Sequence, residues 1–100
     1  MEKLEKDIEK KLRDSIKKRG GWCLKWVCPG WAGVPDRIIL LPGARVLFVE
    51  TKRPEGGRLA RLQEWWHEQI RGLGFQVYVT TNEGELATLL LVVDGLLGRR

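Results

Sequence analysis

One hundred residues, 43% of them apolar, suffice for one domain around a single core, and a formal charge of +5 suits a polyanionic partner, nucleic acid above all. The chain has no uncharged apolar run of about eighteen residues, which excludes a membrane-spanning helix. The alternating charges of Met1 to Lys6 are unlike a secretory signal, so the protein is expected inside a cell, without a membrane partner.

In chain order, Leu4, Ile8, Leu12 and Ile16 recur every four residues among charges, which predicts an amphipathic helix over Leu4 to Lys18 that stops at Gly20-Gly21. Trp22 to Val27 reads as a short strand and Cys28 to Pro35 as a loop. Cys23 and Cys28 fall at odd spacing on opposite faces, so reduced thiols are expected. With one histidine in the chain they cannot complete a structural zinc site. Arg37 to Leu41 and Val46 to Lys52 are two strands joined through Pro42-Gly43-Ala44-Arg45, a hairpin by length and turn chemistry. Both runs are almost wholly apolar, as strands covered on both faces are. After a loop over Pro54 to Gly57, the stripe Leu59, Leu62, Trp66, Ile70 and Leu73 predicts a second helix. Phe75 to Thr80 is a further strand, and a third helix starts at Asn82 with Glu85 completing a capping box. The order is αβββαβα.

Alternation along the second hairpin strand puts Phe48, Glu50 and Lys52 on one face and Val49 and Thr51 on the other. Glu50 and Lys52 therefore project together from a strand end. A hairpin loop of four residues brings Asp36 opposite Thr51, and a loop of five brings it opposite Glu50. Paired carboxylates at the end of a covered sheet need a cation, and oxygen donors suit Mg²⁺, with Mn²⁺ as substitute. The backbone carbonyl of Thr51 is a candidate third ligand. Such an ion would polarise a phosphodiester, with Lys52 steadying water or phosphate charge.

Pro35-Asp36 followed by Glu50-Thr51-Lys52 on this element order resembles the PD-(D/E)xK nuclease superfamily. A closer resemblance is to its VRR-NUC family, carried by Lys25-Trp26 with Pro29-Gly30, Gly33-Val34-Pro35-Asp36-Arg37, Val49-Glu50-Thr51-Lys52 and Leu62-Gln63. The resemblance spans about Glu5 to Leu90. It implies an α/β, restriction-endonuclease-like αβββαβ core with a mixed central sheet flanked by helices. It also implies that Asp36 and Glu50 bind metal, that Lys52 assists the attacking water, and that Gln63 and a first-helix glutamate complete the site. Glu5 and Glu9 both qualify, and Glu9 is favoured. Gln63 has support of its own, since it falls on the inner side of its helix, where an amide needs a partner: a site group, or a backbone group that it caps.

Lys25, Arg37, Arg53 and Arg58 are the candidate DNA contacts, the last two having the best claim because they flank the strand end. Trp66 is expected in the core, with Trp31 and Trp65 outside it, and His67 is read as an ordinary surface histidine. Leu91 and Val92 lie off the buried stripe of the last helix and suggest a self-association surface. The expectation is a Mg²⁺-dependent endonuclease on branched DNA, acting as a homodimer in the manner of a junction resolvase and similar to genome-maintenance enzymes of phages and bacteria. The alternatives are a monomeric flap or nicking nuclease, an exonuclease, and a nucleic-acid-binding module that has lost catalysis.

Overall fold

The computed structural model describes residues 5–52 and 60–98, except for the side chain of Glu5. Seven elements follow in the expected order: α1 (Glu5–Lys18), β1 (Trp22–Lys25), β2 (Arg37–Leu41), β3 (Arg45–Thr51), α2 (Arg61–Gly72), β4 (Gln76–Thr80) and α3 (Glu83–Leu96). The strands form one sheet in the order β1-β2-β3-β4. β2 pairs antiparallel with both β1 and β3, and β4 joins β3 in parallel, so the sheet is mixed as expected. α2 is the crossover that a parallel β3–β4 pair requires.

Alternation along the strands divides the core into two layers. On one face Cys23, Ile39, Leu41, Leu47 and Val49 meet Ile8, Leu12 and Ile16 of α1 and Leu86, Leu89 and Val93 of α3. On the other face the cluster is smaller: Phe48, Ile70 and Val77, with Trp26, Ile38 and Val46 at its margin. Arg19 bonds both carboxylate oxygens of Asp94, at 2.6 and 3.1 Å, and so ties the end of α1 to α3. Gly20, at φ +85°, supplies the left-handed residue that ends α1. Asn82 caps α3 through Glu85 N–H at 2.8 Å.

The hairpin register pairs Leu40 with Val46 and Arg37 with Val49. Leu41 also pairs with Arg45, so the turn is the three residues Pro42 to Ala44, and the register is the one expected of the five-residue loop, with Asp36 level with Glu50. The second helix departs from its expected stripe. Leu62 and Leu73 are exposed and His67 turns inward, while Ile70 and Gln63 face inward as expected. Leu59 lies outside the described residues. Cys23 and Cys28 are free thiols, and burial pushes Cys23 up to about 11. Among the described residues no helix is long and apolar enough to cross a membrane.

Candidate active site

Asp36 sits in the bend that leads into β2 and is fixed from both sides. Its carbonyl accepts the Trp26 N–H at 2.8 Å, while its carboxylate accepts the Thr51 N–H at 3.2 Å through Oδ1 and meets the Thr51 hydroxyl at 2.8 Å through Oδ2. The same hydroxyl stands 2.9 Å from Oε1 of Glu9. Thr51 can reach α1 because alternation turns it away from Glu50 and onto the α1 face. A hydroxyl has one proton and cannot donate to two carboxylates at once. One contact of the pair therefore lacks a donor unless a carboxyl holds a proton or a cation stands nearby. Burial, foremost, pushes the Asp36 carboxyl above its ordinary range. The bonds from Thr51 and the charge of Arg37 pull it down, and the charge of Glu9 adds to the rise.

Glu50, on the opposite face of β3, is almost fully buried. Its Oε2 accepts a bond from Gln63 Nε2 at 3.3 Å and lies 3.8 Å from the Lys52 ammonium. Gln63 is held in turn by the backbone, since its Oε1 accepts the Ala60 N–H at 2.9 Å. Both partners foreseen for this amide, a site carboxylate and a capped backbone group, are present. The main chain keeps the strand end in register, with Lys52 N–H donating to Thr80 carbonyl at 2.9 Å. The end of β3 thus draws Asp36 from the β2 side, Glu9 from α1 and Gln63 from α2 around Glu50, Thr51 and Lys52.

All the acidic donors here are oxygens. Among the described residues, no group of three or more His, Cys, Asp and Glu side chains is gathered as a ready-made metal cage. An ion such as Mg²⁺, which uses one or two carboxylates with waters and substrate phosphate oxygens, fits such a set better than Zn²⁺ does.

No family model matches the chain. It is 39% identical over 90 residues to "Putative nuclease p44" of Acyrthosiphon pisum secondary endosymbiont phage 1, across 90% of this chain and 95% of that protein. A solved VRR_NUC domain superposes with a TM-score of 0.81 at 28% identity, over 86% of this chain and 92% of that one. The chain belongs to the VRR-NUC family of nucleases.

Among the other residues singled out in this VRR-NUC chain, Lys25 is exposed at the edge of the sheet, opposite Arg37 in the ladder. Arg37 itself must be corrected. It is buried on the α1 face with Nη2 3.5 Å from Oε2 of Glu9, so it holds that acid rather than offering an open phosphate contact. Arg53 and Arg58 lie outside the described residues, as does the Glu5 side chain. Glu9 is in place on α1, within the Thr51–Asp36 group.

Trp66 is half-buried, not core, and stacks edge-on against Trp31 at 5.7 Å and Trp65 at 5.0 Å. Gly33 lets the Trp31 loop approach α2, since a Cβ there would stand 2.7 Å from Leu62 Cγ. Two features were missed. The Thr51 hydroxyl, and not only its carbonyl, belongs to the site, and strand alternation carried that signal. His67 is buried instead of exposed, and its spacing of four from Gln63 was the available clue.

Proposed function

We propose that this VRR-NUC nuclease is a Mg²⁺-dependent endonuclease that hydrolyses phosphodiester bonds in branched DNA and works as a homodimer. The observation that carries the metal-dependent part is the single Thr51 hydroxyl shared by the Asp36 and Glu9 carboxylates, at 2.8 and 2.9 Å, beside buried Glu50. This is an acidic oxygen set that a hard divalent cation would relieve. Asp36 and Glu50, with the Thr51 carbonyl, would hold Mg²⁺ or Mn²⁺. The ion, when bound, supplies Lewis acidity toward the phosphate and acidity to a water.

The chain's own groups do the rest. Thr51 fixes the direction of Asp36, and Arg37 holds Glu9 from behind. Gln63 keeps Glu50 from turning, because its amide is anchored at both ends. Lys52 carries its ammonium at the rim of the strand end, where it orients water or steadies negative charge on the phosphate oxygens. Lys25 adds an exposed cation for the DNA backbone, and Arg53 and Arg58 follow Lys52 in sequence.

Self-association is supported by α3, on which Leu91 is 72% exposed with Val92 half-buried beside it. A two-fold pair presents identical sites to two strands of a branch. A panel of labelled four-way junctions, flaps and duplexes, cut in Mg²⁺ and in excess chelator, tests the reading, with light scattering at the same concentrations. Cleavage in chelator would sink the metal mechanism. A monomer that cuts flaps and ignores junctions would remove the dimer and the branched specificity.

A further inference from the structure

One turn beyond Gln63 on α2 is a buried side chain that the proposed reaction does not use. His67 follows Gln63 by four residues on α2, which places it one turn further along the same inward face. It is 1% exposed, and among the described residues neither ring nitrogen has a hydrogen-bond partner. Burial, foremost, holds its basicity below the ordinary value, and the charges of Arg71 and Lys52 lower it further, so at neutral pH the ring is uncharged. A neutral imidazole carries one N–H and one acceptor lone pair, and leaving both unused in a core is costly.

Lys52 has the complementary deficit. Its side chain is only 19% exposed, yet its ammonium, with three donors, has Glu50 at 3.8 Å as its ion-pair partner and donates no hydrogen bond among the described residues. Among the described residues the two groups are not bonded to each other, yet both belong to the α2 side of the sheet and the charge of Lys52 bears on His67. Arg71, the other cation that bears on His67, is already committed to the Val77 carbonyl at 2.7 Å. Glu64 is exposed on the first turn of the helix, whereas Lys52 projects from the inward side.

We propose that His67 is a positioning residue for Lys52: its free ring nitrogen accepts a hydrogen bond from the ammonium and sets the direction in which Lys52 meets the phosphate. This rests on the proposed role of Lys52 and adds a residue to it. His67 itself touches neither substrate nor metal. The energetic sense is that two unsatisfied polar groups are traded for one bond inside a protein-like medium, where such a bond is strong.

The test is a double-mutant cycle read by single-turnover cleavage and DNA affinity, with His67→Phe and His67→Gln made alone and in a Lys52→Ala background. Thermal melts of each variant check folding. His67→Phe should lose at least tenfold in rate with DNA affinity unchanged, and His67→Gln, which keeps an acceptor, should recover part of it. Neither should lower the rate further once Lys52 is Ala. Independently of cleavage, imidazole ¹⁵N spectra should show one neutral tautomer in the wild type and shift when Lys52 is replaced.

Wild-type rate in a folded His67→Phe, or losses that multiply in the double variant, would overturn the pairing while leaving Lys52 in place. Should His67→Phe fail to fold, His67→Gln and the ¹⁵N spectra decide, and a spectrum indifferent to Lys52→Ala overturns it. Full activity in Lys52→Ala alone would instead remove the role of Lys52, and this proposal with it.

Discussion

α1 and α2 are both amphipathic, and they bury different things. α1 turns Ile8, Leu12 and Ile16 to the sheet, all but inaccessible to water, and keeps Glu9 on the flank that faces Thr51. α2 turns in Gln63, His67 and Ile70, of which only the last is aliphatic. One face of the sheet is thus the larger aliphatic layer, shared by α1 and α3 and polar only where Glu9, Arg37 and Thr51 meet, and the other gives part of its apolar contact over to groups that hold Glu50. A helix that carries chemistry gives up stability to do so. The VRR-NUC chain places that sacrifice on the smaller of its two core layers.

If the two helices divide labour in this way, their variants must separate activity from stability. The largest effect is expected from Asp36→Asn or Glu50→Gln, which should cut cleavage by at least about a hundredfold and keep DNA affinity, as removal of an electrostatic group at the reacting phosphate does. Gel-shift and cleavage assays on one preparation would show it, and full activity in either variant would empty the proposed site. Next comes Leu12→Ala on α1. It should cost about 2–5 kcal/mol in urea unfolding, as for a fully buried leucine, without changing the rate of the fraction that remains folded.

Gln63→Ala should behave in the opposite sense. The lost cap costs about 0.5–2 kcal/mol, and the rate falls by more than that loss of folded protein explains. A fall in rate no greater than the fall in folded fraction would make Gln63 a cap only. Smaller still is an effect of pH on stability through His67. Because its folded-state pKa lies below the ordinary 6.5, the unfolded chain takes up the proton first, and stability drops as pH falls from about 6.5. His67→Phe should flatten that part of the pH–stability curve, and an unchanged slope would assign it to other groups. The smallest effect belongs to Leu73→Ser, at the exposed end of the expected α2 stripe, which should shift stability by less than about 0.5 kcal/mol.

The same two helices show how far the sequence could be read. The α1 stripe was legible because its inward residues are all aliphatic and the spacing alone decides the face. The α2 stripe was drawn through Leu59, Leu62, Trp66, Ile70 and Leu73, of which Ile70 packs as drawn while Leu62 and Leu73 are exposed. Gln63 was legible on the inner side, where it bonds Glu50, whereas the burial of His67 was not, because hydrophobic periodicity cannot see a buried polar side chain. The strand end was readable from alternation, and so was the level of Asp36 with Glu50, once one of two hairpin lengths was chosen. Arg37 was misplaced because a charge at a strand start is exposed by default, and its burial depends on Glu9 arriving from a helix 28 residues earlier. Strand alternation gives the face on which the Thr51 hydroxyl lies, but that it meets Glu9, 42 residues earlier, no local pattern encodes.

The central claim, that Asp36 and Glu50 form one metal site while Lys52 serves the chemistry, is tested most directly by titrating Mn²⁺ and following the free ion by electron paramagnetic resonance. Wild type and Lys52→Ala should bind with similar affinity, and Asp36→Asn and Glu50→Gln should each weaken binding at least tenfold. Binding unchanged in both carboxylate variants, or lost in Lys52→Ala alone, would contradict it.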